Sequence, residues 1–363
     1  MTSSTAESWV PDWAVTPGEV LQEILDEQGM SQAELARRMS RPTKTINEIT
    51  RGKAAITPDT AIQLELALDI DSRIFTNLEL RYREHLASIR SLELMGESVG
   101  WATRFPIRDL KKNGLIEDAK GPDLVASLLR FLGVSSPEGW DRQWASVAAS
   151  FRASPSFASA PESVAAWLRW GERLAIQSEQ GPYDELSFRY ALREIRSLTR
   201  SEPFQLVIEE AQELCAEAGV AFFVCPEFDA TRLSGAAHWT SDGTPIIQVS
   251  LRHKTEGSFW FSLFHEAGHV LGKHRGVFVD LDDETDDEES EAEREADQFA
   301  QDFLIPPDGF ATFVDVADFS AEAVRQYSKE IGIATGILVG RLQHEQLVLF
   351  SQLAHLRRTL TWA

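Results

Sequence analysis

Apolar residues recur at helical spacing through most of the chain, in segments that begin and end at capping residues. Near the N-terminus, Ser31 precedes one such segment with Glu34 three residues later, and Gly29 and Gly52 close neighbouring segments. Ser followed by Glu at this spacing is typical of a helix start, and Gly of a helix end. Short capped helices joined by tight turns predict a helix-turn-helix bundle in residues 1–86.

Residues 87–204 keep the helical spacing and are rich in tryptophan. A Ser/Pro-rich stretch separates two helical blocks. Because aromatic residues at helical spacing usually belong to a core, we interpret this part as a helical connector and interaction region. It contains no recognisable catalytic constellation.

The pattern changes after residue 204, where one helical segment is followed by three segments with strand character, at 220–227, 232–239 and 244–251. A turn signal, Ser-Asp-Gly, lies between the last two. Further helices and an acidic, solvated stretch complete residues 205–363. The fold class predicted is therefore multidomain and mainly α, with a C-terminal α+β domain.

The chemistry of that last domain centres on the sequence His265-Glu266-Ala267-Gly268-His269. Two histidines at i and i+4 project from one side of a helix, and neutral imidazole is a preferred ligand of Zn²⁺. The intervening Glu266 is placed to take a proton from a water that the metal acidifies. This H-E-x-x-H pattern is that of zinc peptidases, with Glu266 as the catalytic base.

A third ligand is expected from a second helix in residues 288–304. Glu293 borders the apolar stripe of this helix, and Asp297 lies one turn further on the same side. We predict Glu293 as the metal ligand and Asp297 as the carboxylate that holds a ligand histidine by its other ring nitrogen. Glu289 is the reserve ligand. The alternative interpretation is that this acidic run is only a solvated helix end.

Three further positions bear on the site. Glu291 and Glu295 are expected to point towards solvent. His274 lies one residue short of the third histidine of an H-E-x-x-H-x-x-G-x-x-H site, where the sequence has Arg275, so we interpret it as peripheral. The histidine side of the zinc helix also carries small residues that are expected to leave room for a ligand, with Phe261 as the exception: Ser258, Ser262, Gly268 and Gly272.

Composition and net charge exclude some classes of protein but do not identify the function. The 363 residues are 43% hydrophobic and 25% charged, as in ordinary globular proteins. No run of about 18 apolar residues predicts a membrane span, and the N-terminal residues do not resemble a signal peptide. Two cysteines, Cys215 and Cys225, favour a reducing cytoplasm. A net charge of −22 argues against a polyanion-binding protein as a whole, but not against a local basic surface.

Such a basic surface is expected within Ser31 to Lys53, where cationic residues cluster. A helix-turn-helix unit lays its second helix in the major groove, so this segment is predicted to bind operator DNA. Hydroxyls, the lysine and a helix start would hold phosphates, while Gln32, Asn47 or Thr45 would reach base edges. The alternative is a small helical interaction domain that never meets DNA. The predicted DNA-binding residues are Gln32, Arg41, Thr43, Lys44, Thr45, Asn47 and Arg51.

Two family resemblances cover these regions. HEAGH followed by EREADQFAQDFLIP resembles the ImmA/IrrE metallopeptidases over about residues 205–345. The resemblance implies that the C-terminal α+β domain is a zincin-like metallopeptidase domain, of an intracellular protease that binds Zn²⁺ through His265, His269 and Glu293 and often cleaves a helix-turn-helix repressor. The N-terminal seventy residues resemble the XRE-type domain of HigA-family antitoxins, which implies operator binding as a homodimer and a cognate toxin as partner.

The main hypothesis is a DNA-binding regulator or antitoxin with a fused zinc endopeptidase that cleaves a regulatory protein or itself. The alternative is a non-proteolytic antitoxin-repressor that binds a toxin and keeps the zincin fold as a scaffold. The proton donor is left open, with His238 and His253 as candidates. Residues 320–346 also resemble a helix-turn-helix, for which a structural role is favoured over a second contact with DNA.

Overall fold

The structure is a computed structural model that describes residues 15–151, 161–229, 231, 233–252, 254–274, 278–281 and 291–360, without the side chains of 145–151 and 278–281. It divides into two compact units, one of residues 1–98 with 121–123, the other of 99–120 with 124–363. The predicted boundary between residues 86 and 87 is wrong, because it falls inside one continuous helix. The candidate residues Glu289 and His253 lie outside the described residues, as does Arg275.

The first unit consists of helices around one apolar core, and its caps follow the sequence. The Ser31 hydroxyl accepts a hydrogen bond from the backbone N–H of Glu34 at 3.1 Å, and Thr16 and Glu19 form a reciprocal capping box. The core residues Leu25, Leu35 and others are fully buried. The helices are α1 (Pro17–Glu27), α2 (Gln32–Arg38), α3 (Thr43–Thr50), α4 (Pro58–Leu68) and α5 (Ser72–Glu97).

The second unit begins with the helices of the predicted connector. They are α6 (Val99–Ala102), α7 (Ile107–Lys112), α8 (Gly121–Leu132), α9 (Pro137–Phe151), α10 (Pro161–Gln177) and α11 (Glu185–Leu198). Next come α12 (Phe204–Glu217), β1 (Ala221–Val224), β2 (Leu233–Trp239), β3 (Pro245–Val249), α13 (Glu256–Leu271), β4 (Phe278–Leu281), α14 (Glu291–Leu304), α15 (Pro307–Val316), α16 (Ala321–Ile331), α17 (Thr335–His344) and a short 3-10 helix (Ala354–Leu356).

The four strands form one sheet in the order β1-β3-β2-β4. β3 pairs in parallel with β1 and antiparallel with β2, which in turn pairs antiparallel with β4. Three strands were expected. The fourth lies at the start of the stretch interpreted as an acidic loop, where residues 278–281 add an edge strand to β2.

Opposite faces of this sheet pack against different helices. Ala237, Ile247 and Val249 face the core that includes α12 and α13, whereas Ile246 packs with Ala175 of α10 on the other face. The fully buried Trp167 of α10 donates a hydrogen bond from its indole to the carbonyl of Pro226 at 3.0 Å. The predicted connector is therefore not a separate region, because its helix α10 covers the sheet of the C-terminal domain.

The chain after α17 returns to the start of α13. Glu256, at the first position of α13, is 4% exposed, and Arg358 donates to its carboxylate from Nε at 2.8 Å. The backbone N–H of Gly336 also donates to Glu256, at 3.3 Å. Ile337, Leu338 and the other apolar residues of α17 are buried, which agrees with the structural role favoured for this segment. None of the helices in the described ranges has the length and apolar character to cross a membrane.

Candidate metal centre and helix-turn-helix domain

The helix α13 carries both histidines of the H-E-x-x-H sequence on one side. Thr255 caps this helix by accepting a hydrogen bond from the N–H of Ser258 at 3.4 Å. Because His265 and His269 are one turn apart, their rings lie close together, with Nε2 atoms separated by 3.1 Å. The two residues are only 5% and 1% exposed. Burial lowers the pKa of His269, which favours the neutral imidazole that a metal ion requires.

The helix α14 brings Glu293 to the same point. Its Oε2 atom lies 3.1 Å from Nε2 of His265 and 3.3 Å from Nε2 of His269. This approach depends on Gly268, where an added Cβ would lie 2.9 Å from the Cα of Ala296. Gly268 therefore makes room for α14, not for a ligand as predicted.

The three donor atoms fit a tetrahedral zinc ion. Around zinc with bonds of about 2.0–2.1 Å, neighbouring ligand atoms lie roughly 3.3–3.4 Å apart. The three separations among His265, His269 and Glu293 are 3.1, 3.1 and 3.3 Å, and each residue supplies one donor. Burial alone raises the pKa of Glu293, but hydrogen bonds with the two histidines outweigh it and lower the pKa to about 2. The third donor is thus a carboxylate at neutral pH.

In each of the two histidines, the second ring nitrogen, Nδ1, contacts another side chain. Asp297, one turn after Glu293, has Oδ1 2.8 Å from Nδ1 of His265. A carboxylate in this position fixes the tautomer that leaves Nε2 free to bind a metal.

The other ring is held by His274, which the sequence interpretation left peripheral. Nδ1 of His274 lies 3.1 Å from Nδ1 of His269, and its Nε2 lies 3.2 Å from Oε2 of Glu295. Lys273, with a positive φ of 54°, turns the chain back after α13. That turn brings His274 beside His269, and the exposed Glu295 contacts His274 from the surface. The interpretation of His274 as peripheral is therefore wrong, whereas Glu295 is exposed, as predicted.

The remaining residue of the motif, Glu266, is fully buried beside β2. An added Cβ at Gly235 of β2 would lie 2.5 Å from Oε1 of Glu266 and 3.0 Å from its Cγ. Only glycine at this strand position allows the Glu266 side chain to occupy its place. The sequence motif identifies Glu266, but nothing in the sequence identifies Gly235 as its neighbour.

Comparison with known families identifies a domain in each half of the chain. Residues 21–75 match the model of the family described as helix-turn-helix, and residues 215–330 match that of the IrrE N-terminal-like domain. An uncharacterised HTH-type transcriptional regulator of Escherichia coli strain K12 is 38% identical over 63 residues, which are 17% of this chain and 67% of that protein.

The chain belongs to the helix-turn-helix family and carries an IrrE N-terminal-like domain.

Solved structures of antitoxins resemble the helix-turn-helix domain. The antitoxin HigA of Pseudomonas aeruginosa, solved with the higBA promoter, is 33% identical and covers 22% of this chain and 86% of its own, with a TM-score of 0.21. A HigA-family addiction module antidote protein from Coxiella burnetii is 30% identical, with the same coverage and the same TM-score.

In the helix-turn-helix domain, the predicted DNA-binding residues fall into two groups. Thr43, Lys44 and Arg51 are exposed on or just after α3. Gln32 and Asn47 are half-buried and bonded to each other, with Nδ2 of Asn47 donating to Oε1 of Gln32 at 3.2 Å.

Two further predicted contacts are also partly buried. Arg41 donates from Nε to Oε1 of Gln63 at 2.7 Å, and Thr45 is half-buried on α3. The exposed residues are thus the ones that can reach a phosphate backbone without leaving a buried position, although Lys44 also has an exposed ion pair with Glu48.

In the IrrE-like domain, His238 does not belong to the metal centre. It pairs with Ile246 across β2 and β3, so it faces away from Gly235 and Glu266. It is 3% exposed, and burial lowers its pKa to about 4. A neutral histidine on the far face of the sheet cannot donate a proton at the site, which rules out this candidate proton donor.

Proposed function

We propose that this protein is a DNA-binding transcriptional regulator or antitoxin with a zinc-dependent endopeptidase domain that cleaves a regulatory protein or itself. The observation that supports it best is the convergence of His265, His269 and Glu293 on one point beside the buried Glu266. A scaffold that only binds a partner has no need of a buried carboxylate beside a set of zinc ligands.

The residues have distinct roles in this mechanism. His265, His269 and Glu293 would hold the ion, whose chemistry is to acidify a water molecule and polarise a peptide carbonyl. Asp297 and His274 hold the ligand rings in orientation. Glu266 takes the proton of the attacking water and passes it to the leaving amine when the peptide bond breaks.

Removal of the metal tests the proposal directly. We expect the purified full chain to contain one zinc ion and to cleave itself or the protein encoded beside its gene. Dialysis against a chelator should abolish that cleavage, and added zinc should restore it. Metal analysis and mass spectrometry of the fragments measure both effects. Cleavage that survives complete removal of zinc would contradict the proposal. Stoichiometric zinc without cleavage of either protein would instead favour the scaffold function with a cognate toxin as partner.

Asp297 and His274, which contact the Nδ1 atoms of His265 and His269, should control zinc affinity. Loss of such a supporting side chain typically weakens metal binding about 10- to 100-fold, so we expect Asp297→Ala and His274→Ala each to have an effect of this size. Competition with a chromophoric chelator gives the dissociation constants. Asp308→Ala, at an exposed position of α15, is the control and should bind zinc like the unmodified protein. Unchanged affinity in both variants would refute the supporting roles.

For the N-terminal domain we propose operator binding as a homodimer. The solved antitoxin HigA of Pseudomonas aeruginosa is described with its promoter, and the exposed cations of this domain lie on and beside α3. Two copies would present two such helices to half-sites about one DNA turn apart.

Salt dependence tests this DNA assignment. Each phosphate contact contributes about one unit to the slope of log K against log salt. We expect Lys44→Ala and Arg51→Ala each to reduce the slope by about one unit on the DNA upstream of the gene, as measured by gel shift. Lys329→Ala, an exposed lysine of α16, should leave the slope unchanged. Binding that shows no dependence on salt would contradict the assignment.

A further inference from the structure

The strand β2 is irregular at the residue that precedes Gly235. Leu233 pairs with Leu281 of β4. Gly235, two residues later, pairs with Asp280, which is only one position away from Leu281. Ser234 is therefore an extra residue on β2, and the irregularity is a β-bulge. A bulge interrupts the alternation of side chains between the two faces of a sheet, and bulges are frequent next to active sites.

The bulge brings Ser234 to the face of the sheet that packs against α13. Regular alternation would place its side chain on the face opposite to that of Gly235. Instead Ser234 is 3% exposed and lines a small cavity together with Ser258 and Ser262 of α13. The hydroxyl of Ser234 is therefore on the same face of the sheet as the side chain of Glu266.

Ser234 is also adjacent to the residue that contacts the proposed catalytic base. An added Cβ at Gly235 would lie 2.5 Å from Oε1 of Glu266, so the Cα of Gly235 is within about 4 Å of that oxygen. A water activated by Glu266 lies beside this oxygen, and the carbonyl carbon that it attacks lies within roughly 3–3.5 Å of the water. The Cα of Ser234 is about 3.8 Å from that of Gly235. Its hydroxyl is thus in range of the reacting carbonyl.

We propose that the hydroxyl of Ser234 donates a hydrogen bond to the carbonyl oxygen of the peptide bond that is cleaved. This inference rests on the proposed peptidase function. When water adds to the carbonyl carbon, its proton goes to Glu266 and the electron pair of the C=O bond moves to the oxygen. Ser234 stabilises this negative charge and keeps its own proton. When the C–N bond breaks, the C=O bond forms again and the nitrogen takes the proton from Glu266.

Two other polar groups near the sheet are less suited to this role. His238 faces the opposite side of the sheet. Ser262 shares the cavity, but side chains on a helix lean towards its N-terminus. Since Ser262 already precedes His265 by three residues, its hydroxyl points away from the metal ligands along the helix. The hydroxyl of Ser234 is uncharged at neutral pH and can rotate towards an acceptor.

The test compares two ligands of the zinc-loaded full chain by calorimetry. The first is an acetylated glycylglycine analogue in which a phosphinate replaces the peptide bond. Its tetrahedral, negatively charged group imitates the carbonyl after water has added. The second is N-acetylcysteamine, which binds the metal through sulfur and carries no charged oxygen. A hydrogen bond from Ser234 therefore strengthens binding of the phosphinate alone.

Ser234→Ala should weaken phosphinate binding about 10- to 100-fold, because hydrogen bonds to charged groups are strong. The zinc content and the binding of N-acetylcysteamine should not change. Ser234→Thr keeps a hydroxyl on the same carbon and should restore the phosphinate affinity. Ser328→Ala is the matched control, since Ser328 is 1% exposed and its hydroxyl donates to the carbonyl of Val324 within α16 at 2.7 Å. It should bind both ligands like the unmodified protein.

Other results would overturn the inference in distinguishable ways. If Ser234→Ala binds the phosphinate normally, or if Ser262→Ala loses that affinity instead, another group contacts the charged oxygen and the metal centre stands. An equal loss for both ligands in Ser234→Ala would show that Ser234 only supports the fold of the metal centre. If the unmodified protein binds neither zinc nor either ligand, the proposed peptidase function fails and the role of Ser234 fails with it.

Discussion

Replacement of Glu266 by glutamine should abolish peptide hydrolysis while zinc remains bound. The variant keeps the shape of the side chain beside Gly235 but removes the group that accepts a proton. General base catalysis contributes about 10²- to 10⁴-fold to enzymatic rates, and we expect a loss of this size. Because Glu266 is not among the three zinc donors, the metal content should not change.

The comparison requires metal analysis and a cleavage rate from the same preparations. Glu291→Gln, at the exposed start of α14, is the control for the loss of one carboxylate and should cleave normally. A Glu266→Gln protein that holds one zinc ion and cleaves at the unmodified rate would exclude Glu266 as the base. The peptidase mechanism proposed for this chain would then be wrong.

Replacement of Glu293 by alanine should have the largest effect on the metal itself. The variant removes one of three donors and the carboxylate that contacts Nε2 of both His265 and His269. We expect zinc affinity to fall by more than the roughly 100-fold that loss of a supporting side chain produces. Glu291→Ala, two residues earlier on the same helix, should bind zinc normally.

Thermal unfolding gives a second measure of this loss. A ligand present at 100 times its dissociation constant stabilises the folded state by about 2.7 kcal/mol. Added zinc should therefore raise the melting temperature of the unmodified protein and of Glu291→Ala, but not that of Glu293→Ala. An equal rise in all three proteins would show that zinc binds elsewhere.

The sequence was sufficient for the parts of the site that depend on helical periodicity. His265 and His269 share one side of a helix because they are four residues apart, and the same periodicity selects Glu293 and Asp297 on α14. The capped helices of the N-terminal domain were also predictable, since Ser31 and Glu34 interact within a single turn. In each case the information is local.

The parts that were missed depend on contacts between distant elements or on a single backbone angle. A positive φ at Lys273 places His274 beside His269. Helical periodicity predicts which residues share one side of a helix, but it does not predict a turn that follows the helix. The packing of α10 on the sheet depends on Trp167 and Gln248, 81 residues apart, which share a hydrogen bond of 2.9 Å. Periodicity identified Trp167 as a core residue but could not identify its partner.

The contact between Glu256 and Arg358 has a consequence for synthesis of the protein. The two residues are 102 positions apart, and a ribosome adding about 5–20 residues per second takes roughly 5–20 seconds to cover that distance. During this interval the helix that bears the histidines exists without the arginine that satisfies the carboxylate at its first position. A newly made chain therefore has a complete helix-turn-helix domain before its IrrE-like domain is finished.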